Sequence, residues 1–417
     1  MYIQRELGKI IEPFLERRES IAILGPRQAG KTTFLEHLAV ILKEKGKKVK
    51  QITFENRSDL ELFNTGIEDF KMIAEQYDCV IIDEFQYAKE GGQKLKYLYD
   101  TTKVKFIISG SSSLELVFQT GKYMVGRLLE FTLFPFSFRE FLSFRDLELF
   151  TLLEQKISHN PLEFKIEQAL GKEMTKRIAA LLEEYTIFGG YPAVALTKNA
   201  PEKQKVLEGI ANNYLLKDVE SLLHLATSNE LLILEKLLAS QIGNMVKYEE
   251  LSRSSGLAYK ELKKHLNILE KTYILSLVRP FFTNPRTELT KNPKVYFMDL
   301  GLRNFILSDF RPLGDRQDAG AVMENYAHSI LRRMIKPPEE VKYWRTKSKA
   351  EVDFILQKNS LPQPFEVKYS SKKTVGKSLH SFIGKFKSSK AVVLTKDVVE
   401  TEKIGDTQVV FIPLSYF

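Results

Sequence analysis

The sequence predicts an α/β protein in which a parallel sheet with helices on both faces is followed by a helical segment and a small second α/β domain. Three observations support this prediction. A fully apolar strand, 21–24, runs into a glycine-rich loop and then a helix. A second buried strand, 79–82, ends in the acidic pair Asp83–Glu84. Near the end of the chain, residues 351–370 alternate apolar and charged side chains, as two neighbouring strands do.

The composition is that of a globular protein without a membrane segment. The 417 residues allow two to four domains, and 43% hydrophobic with 28% charged residues is ordinary. No apolar run approaches the ~20 residues of a membrane span, and the first residues mix charged and apolar side chains, unlike a signal peptide. Cys79 is the single cysteine, which excludes internal disulfides and argues against a cysteine/histidine zinc site. We therefore expect a cytoplasmic protein with no membrane partner.

Positive charge is concentrated in the C-terminal half of the chain. The net formal charge is +9, with an excess of five positive residues in 241–294 and of eight in 341–400. A polyanion such as DNA would therefore meet the C-terminal half. Lysines that only solubilise a surface give the same pattern, so charge alone leaves both alternatives open.

The loop after the first strand has the spacing of a phosphate-binding loop. Residues 25–32 fit G-x-x-x-x-G-K-[ST], and apolar residues continue after them at helical spacing. Backbone N–H groups of such a loop surround a β-phosphate, Lys31 can reach the β- and γ-phosphates, and the Thr32 hydroxyl can ligate Mg²⁺. The sequence thus predicts a P-loop NTPase sheet with ATP and Mg²⁺ as cofactors. The predicted nucleotide-binding residues are Gly25, Pro26, Arg27, Gln28, Ala29, Gly30, Lys31, Thr32 and Thr33.

The acidic pair after the second strand predicts the metal side of the same site. Asp83, together with Thr32, would hold Mg²⁺ and its water shell, and Glu84 would polarise the attacking water. An acidic pair after a strand can also cap a helix, but the upstream phosphate loop favours the catalytic interpretation.

Two further residues are candidates for the chemistry. A third apolar strand, 106–108, ends in Ser109, Gly110 and Ser111, and ligands of open α/β sheets lie at the C-terminal ends of strands. The hydroxyl of Ser109 could sense the γ-phosphate or orient the water, and a simple turn with a helix cap is an equal alternative. Arg127 follows a glycine and is a candidate arginine finger.

The stretches GPRQAGKTT, VIIDEFQYA, FIISGSSS, GRLLEFTLFPFSFREFL and FGGYPAVAL together resemble prokaryotic AAA+-type ATPases that carry an uncharacterised C-terminal domain. The resemblance covers essentially the whole chain. It implies the additional-strand, catalytic-glutamate version of the P-loop fold, and strands at 51–57 and 128–134 would complete its five-stranded parallel sheet. It also implies a homo-oligomer, in which an arginine finger acts in trans.

The middle of the chain predicts helices and then a winged helix. Residues 141–225 have amphipathic helical patterns, with a glycine-marked turn in 188–196 and a further helix at 213–223. Three helices follow from residue 229 onwards, and two apolar strands around TNPRTELTKN can pair as a hairpin. The third helix would bury its leucines and present a candidate nucleic-acid surface formed by Tyr259, Lys260, Lys263, Lys264 and Asn267. The alternative is a lid or a protein-contact domain.

The C-terminal segment resembles the restriction-endonuclease-like PD-(D/E)xK core. After a link that looks disordered, 309–320, a helix carries Glu324, and two strands carry Asp353, Glu366 and Lys368. The resemblance implies that the carboxylates hold Mg²⁺ while the lysine positions or activates water. Strand alternation places Glu366 and Lys368 on one face.

This second resemblance departs from its pattern at one position. The proline that often precedes the aspartate is replaced by Glu351-Val352. The same short pattern also occurs on solvated sheet surfaces, and a fold does not imply a function. The segment therefore predicts a nuclease-like domain that binds or cleaves nucleic acid, or a surface that holds a partner.

The predicted organisation has four parts: a P-loop AAA+-type core at 1–140, a helical lid or linker region at 141–225, a winged helix at 226–308, and a restriction-endonuclease-like domain at 309–417. The predicted function is ATP binding and hydrolysis coupled to nucleic-acid or partner binding by the C-terminal half. Two alternatives remain open, a nucleotide-dependent protein-interaction switch with little turnover and an ATP-gated metal-dependent nuclease.

Overall fold

The protein consists of two compact units. The computed structural model describes residues 2–110, 122–212, 229–336, 338–358 and 361–417. The first unit is Met1–Phe136 with Lys271–Tyr273, and the second is Ser137–Glu270 with Ile274–Phe417. The predicted boundary at residue 140 lies close to this division. Apart from Lys271–Tyr273, the three later predicted segments lie in the second unit, and their own boundaries stay predictions.

The first unit contains the predicted parallel sheet. Its strand order is β2-β3-β4-β1-β5, and every neighbouring pair is parallel. The strands are β1 (Ser20–Leu24), β2 (Val49–Thr53), β3 (Cys79–Asp83), β4 (Lys105–Gly110) and β5 (Leu128–Thr132). The helices are α1 (Glu6–Ile11), α2 (Lys31–Glu44), α3 (Arg57–Thr65), α4 (Ile67–Ala74) and α5 (Gly91–Thr101).

Both faces of this sheet are buried. Along β3, Val80 and Ile82 belong to one hydrophobic cluster, whereas Cys79 and Ile81 belong to another. Strands covered on both faces need apolar residues at every position, and for this reason the sequence reads as unbroken apolar runs.

The predicted strand at 51–57 is wrong at its C-terminal end. β2 stops at Thr53, and the Asn56 side chain accepts a hydrogen bond from the Ser58 N–H at 3.0 Å. This side-chain cap starts α3 at Arg57. The predicted strand was therefore too long at its C-terminal end, because the Asn56 cap starts a helix where the sequence pattern alone suggested more strand.

The second unit begins with helices. They are α6 (Phe138–Arg145), α7 (Leu147–Lys156), α8 (Lys172–Phe188), α9 (Pro192–Leu196) and α10 (Ala200–Ala211). The predicted turn after Phe188 is present, since Gly189 has a φ of 79° and a Cβ there would lie 2.2 Å from an Asp299 oxygen. The helix predicted at 213–223 lies outside the described residues.

Three helices and a hairpin follow, as predicted. They are α11 (Asn229–Ser240), α12 (Tyr248–Ser255), α13 (Tyr259–Lys271), β6 (Leu275–Val278) and β7 (Lys294–Phe297). β6 and β7 pair antiparallel. The connection between them holds a short helix, α14 (Pro285–Thr290), that the sequence analysis did not predict.

The remainder is a helix-flanked sheet. Its helices are α15 (Leu300–Leu307), α16 (Ala319–Met334) and α17 (Lys377–Phe386), and its strands are β8 (Val341–Arg345), β9 (Glu351–Lys358), β10 (Leu361–Lys368), β11 (Lys390–Thr395), β12 (Glu400–Ile404) and β13 (Thr407–Pro413). The strand order is β12-β13-β11-β10-β9-β8. β10, β11 and β13 run parallel, and the other neighbouring pairs are antiparallel.

The link predicted as disordered, 309–320, is ordered by ion pairs. The fully buried Arg316 side chain pairs with Asp318 at 2.8 Å and donates to the Asn304 side chain at 3.1 Å. The charged composition of the segment suggested flexibility, since composition alone does not show that these charges are paired. Among the described residues, no helix has both the length and the apolar character that a membrane crossing requires.

Candidate functional site

The phosphate loop leaves β1 through backbone conformations that favour glycine. Gly25 has a φ of 150° and Gly30 a φ of 90°. A Cβ at Gly25 would lie 2.1 Å from the carbonyl oxygen of Leu133, so a larger residue would displace backbone. Gly30 immediately precedes α2, whose first N–H groups have no acceptor within the helix. The loop therefore has the backbone shape, and the start of α2 the N–H donors, that a phosphate group needs.

Lys31 is folded against this loop. Its ammonium donates to the carbonyl oxygens of Gly25 at 3.0 Å and Pro26 at 2.9 Å, and the residue is buried. A cation is therefore already held within the loop.

The motif threonine and the strand-end aspartate are in direct contact. The Thr32 hydroxyl donates to Oδ2 of Asp83 at 2.6 Å, across 51 residues of chain. Thr32 is exposed, whereas Asp83 is buried at the end of β3. Both side chains offer oxygen atoms, which are the donors that Mg²⁺ prefers, so the pair fits the predicted metal.

Ser109 lies behind the acidic pair. Its hydroxyl donates to Oδ1 of Asp83 and accepts from the Glu84 N–H at 3.2 Å, and it is fully buried. The predicted contact with a γ-phosphate or an attacking water would require the hydroxyl to leave both partners. The geometry instead favours a role in orienting Asp83 and Glu84. Ser111 lies outside the described residues.

Glu84 is held by a residue that the sequence analysis missed. Its backbone has a φ of 54°, in the left-handed region that L-residues rarely adopt. The Gln86 side-chain amide donates to Oε2 of Glu84. The position two residues after the acidic pair was visible in VIIDEFQYA, but no spacing rule assigns it a role.

Arg5 is a second residue that the sequence analysis missed, and its side chain holds the phosphate loop through backbone carbonyl oxygens. Its guanidinium donates to the carbonyl oxygen of Ala29 at 2.9 Å and to that of Phe134, and it lies 4.8 Å from the centre of the Phe136 ring. The residue is buried. An arginine in an amphipathic N-terminal stretch carries no sequence signal for this contact.

Arg127 does not lie at the phosphate loop of its own chain, and its role as an arginine finger stays a prediction. Its carbonyl oxygen accepts from the N–H of Ser20, at the N-terminal end of β1, whereas the loop follows the C-terminal end. Five residues of strand separate the two ends by roughly 13 Å. Its guanidinium pairs with Asp100 at 2.9 Å. Because β1 and β5 run parallel, Arg127, which precedes β5, lies at the edge of the sheet where β1 begins. The phosphate loop lies at the opposite edge, where β1 ends.

The candidate nucleic-acid surface on α13 is exposed, as predicted. The buried side of the helix consists of Leu262, His265, Leu266, Ile268 and Leu269. The five predicted contact residues, Tyr259, Lys260, Lys263, Lys264 and Asn267, are all exposed. Nζ of Lys263 lies 4.6 Å from the ring centre of Tyr259 and 5.4 Å from that of Tyr248. The surface thus combines positive charge with an aromatic ring.

The hairpin of the same segment is bonded to the six-stranded sheet. The N–H of Phe281 donates to the Tyr343 carbonyl oxygen at 2.5 Å, and the N–H of Tyr343 donates to the Arg279 carbonyl oxygen at 3.0 Å. Nζ of Lys342 lies 2.6 Å from Glu288. The hairpin is therefore part of the C-terminal sheet assembly rather than a free wing.

The predicted second site contains a buried lysine that the sequence analysis did not include. Nζ of Lys294 on β7 lies 3.0 Å from Glu324 and 2.6 Å from Glu351. The same Glu324 oxygen accepts from the Tyr296 hydroxyl at 2.5 Å. Burial alone would lower the pKa of Lys294, but Glu324, Asp353 and Glu351 outweigh it and raise that pKa. Lys294 is therefore a charged ammonium inside the carboxylate cluster.

The remaining residues of this predicted site lie on β9 and β10. Oδ2 of Asp353 accepts from the Val367 N–H at 2.8 Å, and burial followed by the Glu324 carboxylate raises the pKa of Asp353 to about 7. Lys368 pairs with Oε1 of Glu366 at 2.8 Å, and Oε2 of Glu366 is buried without a hydrogen-bond partner among the described residues. The predicted facing of Glu366 and Lys368 is confirmed.

The predicted metal arrangement is not formed. Within the described ranges, no three His, Cys, Asp or Glu side chains are grouped so that they could hold a metal ion. The physical reason is that Lys294 and Tyr296 engage Glu324, leaving Asp353 and Glu366 as separate hydrogen-bonded carboxyls. We call the residues Lys294, Tyr296, Glu324, Glu351, Asp353, Glu366 and Lys368 the carboxylate cluster.

A five-stranded parallel sheet with a phosphate loop and a strand-end aspartate defines the first unit as a P-loop ATPase-type domain. A family model described as an AAA domain matches residues 17–142 and supports this class. Models of two domains of unknown function, DUF8612 and DUF4143, match residues 179–313 and 319–417.

Similar chains occur in distant organisms. An uncharacterized protein of Methanocaldococcus jannaschii is 24% identical over 419 residues, which cover 97% of this chain and 84% of that protein. An uncharacterized protein of Mycobacterium tuberculosis is 22% identical over 382 residues, which cover 91% of this chain and 76% of that protein.

Solved structures match at lower similarity. The ADP form of the Aeropyrum pernix ORC2 protein has 13% identity and a TM-score of 0.36, covering 81% of this chain and 96% of that one. AMPPCP-bound DnaA from Aquifex aeolicus has 14% identity and a TM-score of 0.29, covering 64% and 89%. Similarity at this level does not indicate what this chain binds.

Proposed function

We propose that the first unit binds ATP with Mg²⁺ and hydrolyses it. The observation that carries the proposal is the 2.6 Å hydrogen bond between Thr32 and Asp83. It joins the last residue of the phosphate-loop motif to the carboxylate at the end of β3, which is separated from β1 by β4 in the sheet. A sequence motif alone predicts phosphate binding, whereas this contact supports a site that can also hold the metal of a nucleotide.

The residues of the loop would act on the phosphates. Backbone N–H groups at the start of α2 would bind the β-phosphate, and Lys31 would exchange the carbonyl oxygens of Gly25 and Pro26 for phosphate oxygens. Arg5 would keep the loop in place through Ala29. In this proposal the lysine replaces two neutral acceptors by charged ones, which strengthens each of its hydrogen bonds.

The acidic pair would complete the reaction site. Bound Mg²⁺ would neutralise charge on the β- and γ-phosphates. Thr32 and Asp83 would hold it, and Ser109 would orient Asp83. Glu84 would accept a proton from the attacking water, since its carboxylate is partly exposed. Arg127 could serve as a finger only toward a second copy of the chain, in keeping with the predicted homo-oligomer.

The test of hydrolysis is the variant Glu84→Gln. We expect kcat to fall at least about 100-fold, because a general base contributes that much or more, while nucleotide affinity stays close to that of the wild type. Steady-state phosphate release measures the first quantity, and binding of a non-hydrolysable ATP analogue measures the second.

The exposed Glu75→Gln, outside this site, is the matched control. Hydrolysis that Glu84→Gln leaves unchanged would contradict the proposed base. Wild-type binding without measurable turnover would favour the nucleotide-dependent switch instead.

A second function, nucleic-acid binding by the second unit, is supported by the surface of α13. Its lysines and Tyr259 face solvent together, which suits phosphate contacts and stacking. Because the hairpin is bonded to β8, the helix rather than a free wing would make the contacts. The proposed partner is DNA, RNA is the alternative that the experiment separates from it, and a protein contact is the alternative if neither nucleic acid binds.

Salt dependence tests this second proposal. We expect Lys260→Gln, Lys263→Gln and Lys264→Gln each to weaken duplex DNA binding and to reduce the log–log salt slope by about 0.9 per lost phosphate contact. Fluorescence anisotropy with duplex DNA, single-stranded DNA and RNA measures both. Lys205→Gln, an exposed lysine on α10, should leave the slope unchanged. Binding that none of the three variants alters would contradict the assignment to α13.

A further inference from the structure

The carboxylate cluster is assembled from three parts of the second unit. Glu324 lies on α16, Glu351 and Asp353 lie on β9, and Glu366 lies on β10. Lys294 reaches them from β7, which belongs to the hairpin. A lysine from an upstream element thus supplies a cation to carboxylates of the sheet domain.

The position of β7 beside this cluster is fixed by backbone hydrogen bonds. The Asn325 side chain accepts from the Phe297 N–H at 2.7 Å and donates to its carbonyl oxygen at 2.8 Å. On the other side, the N–H of Gly243 donates to the Val295 carbonyl oxygen at 2.9 Å. Such bonds set the register of β7 and therefore place the Lys294 side chain.

Lys294 is also the kind of group that cannot remain there unpaired. The residue is 2% exposed, and an ammonium removed from water requires carboxylate partners. It has two, Glu324 and Glu351, and Arg345 pairs with the second of them at 2.6 Å. A divalent ion placed at the same carboxylates would meet a buried positive charge at close range.

Several of the oxygen atoms that a metal would need already accept hydrogen bonds or ion pairs. One oxygen of Glu324 accepts from both Tyr296 and Lys294, and Oδ2 of Asp353 accepts from Val367. Oε1 of Glu366 pairs with Lys368, and its Oε2 is buried without a hydrogen-bond partner among the described residues. Among the described residues, no three carboxylate, His or Cys side chains are grouped so that they could hold a metal ion, and a hard cation takes about six oxygen ligands or more.

We infer that Lys294 is the built-in cation of the carboxylate cluster and that it takes the place of a divalent metal ion. The C-terminal sheet domain would then be stable without metal, and the ammonium would tie the hairpin to α16 and β9. Removing this charge would leave uncompensated carboxylates that bind an added divalent ion instead. The inference concerns the second unit and does not depend on ATP hydrolysis by the first.

Thermal unfolding in EDTA and in millimolar Mn²⁺, without nucleotide, tests this role. Wild-type protein should unfold at the same temperature in both. Lys294→Met should unfold at least roughly 5 °C lower in EDTA and regain part of the loss in Mn²⁺. The recovery should disappear when Asp353→Asn is added. Lys342→Met, which removes the partly buried pair with Glu288, should lose stability without any recovery in Mn²⁺.

Two results would overturn the inference. One is a Mn²⁺-dependent rise in the wild-type unfolding temperature that Asp353→Asn abolishes, since the cluster would then be a metal site already. The other is a Lys294→Met protein as stable in EDTA as the wild type. If Lys294→Met does not fold, a titration with Mn²⁺ followed by electron paramagnetic resonance decides between the two possibilities. Equal Mn²⁺ binding by the wild type and Asp353→Asn supports Lys294 as the cation. Weaker Mn²⁺ binding by Asp353→Asn than by the wild type contradicts it.

Discussion

At the scale of single residues, the contact between Gln86 and Glu84 determines how the proposed base is presented. The amide of Gln86 donates to one oxygen of the Glu84 carboxylate, and the backbone of Glu84 is held by Asp83 and Ser109. Each of these bonds restrains a residue whose φ is unfavourable. We interpret Gln86 as the residue that orients the carboxylate toward the attacking water.

The variant Gln86→Leu tests this interpretation. We expect kcat for ATP hydrolysis to fall about tenfold with KM unchanged, because a hydrogen bond to a charged group contributes roughly 1.5 kcal/mol or more. Steady-state kinetics of phosphate release measures both constants. An increase in kcat would show instead that Gln86 holds the carboxylate away from the water.

Sequence reasoning at this scale succeeded where a motif fixes both residue type and spacing. Lys31, Thr32 and Asp83 could be predicted because phosphate chemistry requires them in that order, and the structure brings them together. Arg5 and Lys294 could not be predicted, since each acts through a contact between segments distant in sequence. Ser109 was identified by its place at a strand end, but its burial depends on neighbouring strands.

At the scale of elements, Arg139 and Glu154 join the first helices of the second unit. Arg139 on α6 pairs with Glu154 on α7 at 2.5 Å and donates to the Tyr416 carbonyl oxygen at 3.0 Å. Partial burial alone would raise the pKa of Glu154, but hydrogen bonds from His159 and Arg139 outweigh it and lower that pKa to about 2. The ionised form of Glu154 therefore stabilises the folded state.

This stabilisation should depend on pH in a defined window. A lowered folded-state pKa contributes stability above the unfolded value of 4.5, and the contribution is lost as the pH falls toward 2. We expect Glu154→Gln to lower the free energy of unfolding by about 1–2 kcal/mol at pH 7 and to leave it almost unchanged near pH 2. The loss at pH 7 is smaller than the pKa shift alone implies because the side chain is partly exposed. Urea unfolding across this range measures the difference.

The exposed Glu148→Gln, on the same helix, serves as the control for that measurement. The free energy of unfolding of this variant should differ little from that of the wild type at every pH. A cost of Glu154→Gln that does not change between pH 7 and pH 2 would contradict the assigned ion pair.

Element prediction succeeded where local patterns are strong. β1, β3 and β4 of the first unit and the hairpin β6–β7 were predicted from apolar runs, whereas β2 and β5 were predicted only as the strands that complete the sheet. The short helix α14 was missed within the hairpin connection, although Asn284 caps it by accepting from the Arg286 N–H at 3.0 Å. An Asn-Pro pair was read there as part of a loop, and both a loop and a helix start use those residues.

At the scale of the whole molecule, the second unit is more interlocked than the predicted domains suggest. The bonds between Phe281 and Tyr343, and between Arg139 and Tyr416, join segments that were predicted as separate domains. These contacts join segments far apart in sequence, and neither segment carries a residue pattern that would predict them. The first unit was predictable as a domain because its chemistry and its sheet are encoded in consecutive motifs.

The most direct test of the central claim is the affinity for Mg²⁺–ATP measured by isothermal titration calorimetry. The account predicts saturable binding by the wild-type protein, loss of at least about tenfold in affinity for Lys31→Ala, and unchanged affinity for Lys43→Ala, an exposed lysine on the same helix. Equal affinities for the wild type and Lys31→Ala, or no binding by either, would contradict the assignment of the phosphate loop.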